Sequence, residues 1–168
     1  MFWRMAKAVL ILPGTALIYV PLLIHWISGG WPFGGADGAV QNWIVAAILA
    51  APAFLLAVKT VRLFVSEGEG TPAPWDPPQK FVVSGPYRHV RNPMLAAVVL
   101  MILAEAVALN SLALLGWAVF FFLLNTVYFA FAEEPGLERR FGEVYLDYKA
   151  SVPRWIPNLR PYRPSKGD

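Results

Sequence analysis

Between Ser84 and Pro93 the chain reads Ser-Gly-Pro-Tyr-Arg-His-Val-Arg-Asn-Pro, and the apolar run Met94 to Leu109 follows at once. The stretch offers a phenol, two guanidiniums, an imidazole and an amide beside a hydrophobic segment. Gly85-Pro86 marks one turn. Asn92-Pro93 marks another at a helix start, where proline's fixed φ and missing N–H do no harm. A second polar group, Glu133-Glu134, closes the apolar run Leu112 to Ala132. Cations, an amide and a phenol facing paired carboxylates suit recognition of a charged ligand through charge-assisted hydrogen bonds. The same residues also fit a plainer role, a basic juxtamembrane loop that sets topology and a solvated helix end.

Composition says what must carry these groups. The 168 residues are 57% hydrophobic and 15% charged, against about 25% charged in ordinary soluble domains. The apolar residues gather into long runs, which defines an all-α membrane protein of one domain, residues 1–168. The absence of cysteine excludes disulfides, thiolate metal sites and thiol nucleophiles. With two histidines, no metal site is expected. The net charge of +3 matters less than its placement, and no nucleic-acid partner is expected.

Four spans are predicted, at about 8–27, 43–64, 93–109 and 112–132. The first has about 20 residues, which at ~1.5 Å each matches a ~30 Å hydrocarbon core. Pro13-Gly14, Pro21 and Pro52 interrupt spans one and two, as membrane helices tolerate. His25 sits beside Trp26 near the interface. Residues 29–42 read as a short outer loop, with Trp31 and Trp43 as anchors. Residues 66–92 form a central loop, too proline-rich for a helix, with an apolar dip at Phe81-Val82-Val83. Glu105 in span three either snorkels or lines a polar cavity. Asn110-Ser111 is a tight turn that makes spans three and four a hairpin. In the tail, 133–168, Leu137, Phe141, Val144, Tyr145 and Tyr148 recur at helical spacing, which predicts an amphipathic helix that Pro153 stops. Arg154-Trp155-Ile156-Pro157 follows as a basic and aromatic anchor.

The cations segregate. Arg4 and Lys7 precede span one. Lys59, Arg62, Lys80, Arg88 and Arg91 follow span two, and the other seven Lys and Arg lie in the tail. The two opposite turns carry none. The positive-inside rule then predicts an integral membrane protein with both termini and the central loop cytoplasmic. On that topology the two polar clusters converge at one mouth of the bundle.

Gly85-Pro-Tyr-Arg-His-Val-Arg-Asn-Pro93 resembles the G-x-Y-x-x-x-R-[HN]-P motif of the isoprenylcysteine carboxyl methyltransferase and phospholipid methyltransferase group of membrane enzymes. Glu133-Glu134…Leu137…Phe141-Gly142…Tyr145…Tyr148…Val152-Pro-Arg154 resembles the C-terminal block of the same group. Gly70-Thr-Pro-Ala-Pro and Pro77-Pro78 are similar to the lead-in of its bacterial members. The resemblance implies methyl transfer from S-adenosylmethionine to a lipophilic small-molecule or lipid acceptor, on a helical membrane fold and not a Rossmann domain.

On that pattern a strand-like lead-in, Gln79, Lys80, Phe81 and Val82, contacts the cofactor together with Tyr87. Asn92, Pro93, Met94 and Leu95 form one wall. Glu133 binds cofactor polar groups, Arg91 partners the methionine carboxylate, and Glu134 is a base or an orienter. Many members carry His at the position of Asn92 and Tyr at that of Leu95. The isoprenylcysteine enzymes carry Arg where this chain has Phe129, which points to an acceptor without a free carboxylate. Two other readings stand beside this one. One is an NADPH-dependent membrane reductase of related architecture, which would need a site for a 2′-phosphate. The other is a catalytically silent membrane interaction protein.

Overall fold

In the computed structural model, residues 2–28, 40–71, 73 and 75–163 are described. Residues 29–39 of the predicted outer loop, with Trp31, and the far end of the tail with Lys166 fall outside them, while residues 40–42 of that loop are helical and open the second span. Among the described residues the chain is helical, with no strand. It runs α1 (Phe2–Gly14), a π-helical turn (Thr15–Tyr19), α2 (Val20–Ile27), α3 (Val40–Leu63), a second π turn (Phe64–Gly68), a 3₁₀ turn (Gly85–Arg88) and α4 (Pro93–Ala108). Then come α5 (Leu112–Tyr128), a third π turn (Phe129–Glu133), α6 (Glu134–Phe141) and α7 (Glu143–Ser151). Three continuous helical paths, Ala6–Ile27, Val40–Gly68 and Leu112–Phe141, are long and apolar enough to cross a membrane. The shorter α4 packs among them.

Two of the three π turns run into prolines. In the first, the Val20 N–H donates to the Thr15 carbonyl, one residue further back than in an α-helix. The Ala16 carbonyl would next take the N–H of residue 21, but that residue is proline and has none. The Trp117 indole N–H of α5 fills the gap, at 3.1 Å from the Ala16 oxygen. An unsatisfied carbonyl in an apolar bundle is costly, so the helix defect becomes a tie between the first and last membrane helices. The third π turn repeats the pattern: Glu134 N donates to Phe129 O, and Pro135 follows.

The core lies along α4. Val98 and Ile102 pack with Ala16 and Ala118, flanked by Leu17, Trp117 and Phe121. On the other side Ala104 and Ala108 meet Ala46 of α3, and the two helices adjoin along much of their length. Small residues let helix backbones approach, which is how membrane helices gain dispersion energy without a hydrophobic driving force. The outward faces carry large apolar residues, among them Ile48, Phe54, Leu55, Phe120, Leu123 and Phe131, as a lipid-facing surface requires.

Two expectations shift. The helix of span two does not stop at Phe64 but winds to Gly68, where Glu69 turns left-handed with φ 54°. The single amphipathic tail helix is two helices, broken at Gly142 with φ 54° and ψ −134°, a conformation only glycine adopts without strain. The break resets the helical phase. Tyr145 and Tyr148 remain buried, but Val144 turns outward to 61% exposure. Their neighbours explain the burial: Phe81 and Val83 of the central loop, Leu137, Phe141 and Tyr162 close over Tyr145, Tyr148 and Val152.

Candidate functional site

The hairpin of α4 and α5 sets the geometry of the polar end. Serine at position 111 caps α5, its hydroxyl accepting from Leu114 N, and the two helices of 16 and 17 residues run antiparallel from that turn. Equal rise per residue therefore sets Pro93 about level with Tyr128. The π turn then carries Glu134 further out, over the mouth. The central loop reaches the same level because its chain folds back on the end of α3. Gln79 N and Lys80 N both donate to Gly68 O, at 2.7 and 3.2 Å. Gly70 is required there, since a Cβ would lie 2.5 Å from the Pro78 Cα.

Glu134 is the hub. Its side chain is 4% exposed, and both oxygens are taken. Arg154 Nε donates to Oε1 at 2.7 Å and Nη2 to Oε2 at 3.0 Å, a two-pronged guanidinium–carboxylate pair. Arg91 Nη1 lies 2.9 Å from Oε1, and Lys149 Nζ lies 3.3 Å from Oε2 while also donating to Glu138 at 2.6 Å. The cations come from three separate places: the central loop, α7 and the segment beyond it. Their mutual repulsion is offset by the acid they share. The Glu134 hydrogen bond raises the Arg154 pKa above its ordinary value, and Lys149 is raised likewise, first by Glu138.

Arg91 is held by more than this pair. Its backbone N–H donates to Pro153 O at 2.9 Å, and its side chain faces the Tyr145 hydroxyl. Its Nε is buried without a hydrogen-bond acceptor, and its Nη1 meets Glu134 as an ion pair. The next residue repeats the condition: Asn92 Nδ2 is also buried and unpartnered. Buried donors left open are uncommon, and here they fall on consecutive residues at the head of α4.

The other expected residues are distributed around this point. Tyr87 is buried against the edge of Phe64, and its carbonyl accepts the Tyr148 hydroxyl at 2.7 Å. Burial pushes both phenols above their ordinary pKa. Pro93 is buried and Met94 and Leu95 are half-buried in the first turn of α4. Phe81 is enclosed by Phe141, Tyr145 and Tyr148 at centroid distances of 5.1, 5.6 and 5.1 Å. Val82 is buried beside it. The lead-in is an extended segment and not a strand. Gln79 and Lys80 are exposed, Gln79 donating to Pro77 O and Lys80 pairing with Glu69. Glu133 is half-buried and turned away from the cation cluster, with the Tyr128 hydroxyl at 3.4 Å.

From sequence, Arg154 reads only as part of the C-terminal block and of a membrane anchor, and neither Lys149 nor Tyr162 is singled out. Glu105 has one buried oxygen without a partner, and His25 has a buried, unpartnered Nδ1. A cavity of about 160 Å³, lined by Asn42, Leu103, Ala106, Val107, Asn110 and Leu115, lies at the opposite end of α4 and does not include Glu105. Among the described residues no His, Asp or Glu cluster could hold a metal.

Helices long enough to span a bilayer, with a cation-rich polar cluster at one end, define an integral membrane protein. The chain belongs to the phospholipid methyltransferase family, whose family model matches residues 40–144. The match takes in α3 through α6 and ends at the start of α7, so Lys149 and Arg154 lie beyond it. No curated protein and no solved structure matches the chain.

Proposed function

We propose that the protein transfers a methyl group from S-adenosylmethionine to a lipophilic acceptor at the cytosolic face of a membrane. The observation that carries this reading is the pair of buried, unpartnered donors, Arg91 Nε and Asn92 Nδ2, within a family of membrane methyltransferases. An α-amino acid carboxylate is an anion of the size and charge that such a set accepts. The residues therefore fit the cofactor, with Arg91 and Asn92 on its carboxylate and Tyr87, Pro93, Met94 and Leu95 as the adjoining wall. Phe81 and Val82 support that wall from behind. Glu133, free of the cation cluster, is placed to accept from hydroxyl or amino groups. When bound, S-adenosylmethionine would supply a methyl on a sulfonium centre, open to in-line displacement.

The protein's own part is positioning. Glu134 orients Arg91 by sharing its charge with Arg154 and Lys149, and this is the orienter's role. The aromatic cap over Tyr145 and Tyr148 excludes water from the polar side, while the helices give the acceptor access from the lipid. Both termini face the cytosol, where the donor is dissolved.

Titration of detergent-solubilised protein with S-adenosylmethionine and, separately, NADPH tests the assignment. Saturable binding of the first alone is expected. Arg91→Met should weaken it by about 1.5–3 kcal/mol, as for a lost hydrogen bond with a charged partner, and Asn92→Ala should weaken it by about 0.5–1.5 kcal/mol. Binding of NADPH instead would favour a reductase, and binding of neither would favour an interaction protein.

A further inference from the structure

The segment after α7 is pinned at intervals to the central loop. Pro153 O accepts from Arg91 N, Asn158 N donates to His89 O at 2.9 Å, and Tyr162 N donates to Arg88 O at 2.8 Å. Arg88 Nε returns a bond to Tyr162 O at 2.6 Å, and His89 Nδ1 lies 2.6 Å from Asn158 O. As the loop numbers fall from 91 to 88, the tail numbers rise, so the two run antiparallel. Between the pins at Pro153 and Asn158 the chain has four residues to spare and bows outward. Arg154 turns to Glu134, and Trp155 turns to α5.

Trp155 packs against Phe122 at a centroid distance of 4.8 Å and meets Phe129 edge-on at 6.3 Å. These two phenylalanines are seven residues apart on one helix path, roughly 10 Å along the axis. Phe122 is eleven residues inside Glu133, roughly 16 Å toward the bilayer centre. A residue attached to the polar cluster therefore places its ring well below that cluster, on a helix whose neighbouring side chains face lipid. Leu123, Leu124 and Phe131 are each more than half exposed there, and Ile156 beside the ring is 80% exposed. The bidentate pair of Arg154 with Glu134 fixes the backbone next to the ring. A surface anchor would have no need of that rigidity or of a seat spanning two helical turns.

We infer that Trp155, seated on Phe122 and Phe129, is the lateral wall of the acceptor site and sets how bulky an apolar body can reach the polar cluster. This rests on the methyltransferase reading. Phe129 is apolar and Trp155 packs on it, so this side of the mouth selects by shape and not by charge. Acceptors with a slender chain pass alongside the ring, and branched or two-chain bodies are held back. Removing the ring opens the wall. A hydrophobic contact of this kind discriminates by about tenfold and upward.

The test uses the full chain in lipid nanodiscs and two amine acceptors with the same headgroup, one carrying a single straight chain and one carrying two chains. Trp155→Ala should raise the two-chain to single-chain ratio of kcat/KM by roughly tenfold, with donor affinity unchanged, and Trp155→Phe should restore most of the wild-type ratio. A ring that serves only as an anchor would lower both rates together, and an unchanged ratio in an active variant would overturn the inference. A wild type inert toward every acceptor would instead overturn the reading beneath it. A second measurement does not need activity. The chain has no cysteine, so Trp155→Cys carries a single fluorophore. Quenching by lipids labelled at mid-chain supports the inference, and quenching only by a water-soluble quencher refutes it.

Discussion

Replacing Glu134 with glutamine keeps the shape of the hub and removes its charge. Three cations would then face an amide. Each lies 2.7–3.3 Å from a carboxylate oxygen, which at an effective dielectric of about 20 is roughly 5 kcal/mol of gross attraction per pair. Most of that is cancelled by desolvation and by repulsion among the cations. What remains depends on which of them can reach water. Lys149 is 36% exposed and keeps Glu138, and Arg154 is 26% exposed, so both can turn outward at modest cost. Arg91 is 12% exposed, pinned through its backbone to Pro153, and cannot. The expected loss is therefore about 3 kcal/mol, the lower end for breaking a buried pair. Lys149→Met should cost under about 1 kcal/mol, as a partly screened pair does. Mixed-micelle denaturation followed by circular dichroism measures both. If Glu134→Gln unfolds within about 0.5 kcal/mol of the wild type yet loses methyl transfer, the hub argument fails and Glu134 acts on the reacting atoms instead.

Trp117→Phe removes the donor that satisfies the Ala16 carbonyl and should destabilise by about 0.6–1.7 kcal/mol in the same assay. Tyr162 is pushed up to about 12 from 10.0, by burial first and then by its bond to Asp147. Its contact therefore contributes fully below pH 10 and is lost as pH rises through 12, and the wild type should lose more stability across that interval than Tyr162→Phe. Single cysteines at Ser28 and Arg163 should label from opposite sides of the membrane, and labelling of both from one side would sink the topology. Amine or thiol acceptors should turn over faster than a prenylcysteine acid of matched hydrophobicity. Arg139 and Arg140 are the nearby cations that could meet such an acid, and both are exposed, with Arg140 donating to Pro78 O. Faster methylation of the acid would refute the role given to Phe129.

Much of this protein was legible along the chain. Runs of about 20 apolar residues can only be membrane helices, because the bilayer leaves backbone polar groups no other partner. Segregated Lys and Arg predict which end is polar. The Gly85–Pro93 stretch and Glu133-Glu134 could be placed together because a two-residue turn leaves the hairpin no other geometry. Other features depended on contacts between residues far apart in sequence. Nothing local tells two adjacent glutamates apart. The π turn before Pro135 rotates one toward Tyr128 and the other into three cations drawn from positions 91, 149 and 154. Gly142 could be read as a weak helical residue, and only its positive φ shows that it ends one helix and starts another. Trp155 had the composition of an anchor. Its place on Phe122 and Phe129 was decided by backbone bonds to Arg91 and His89, more than sixty residues away, which take up the slack in the tail and turn the ring toward α5.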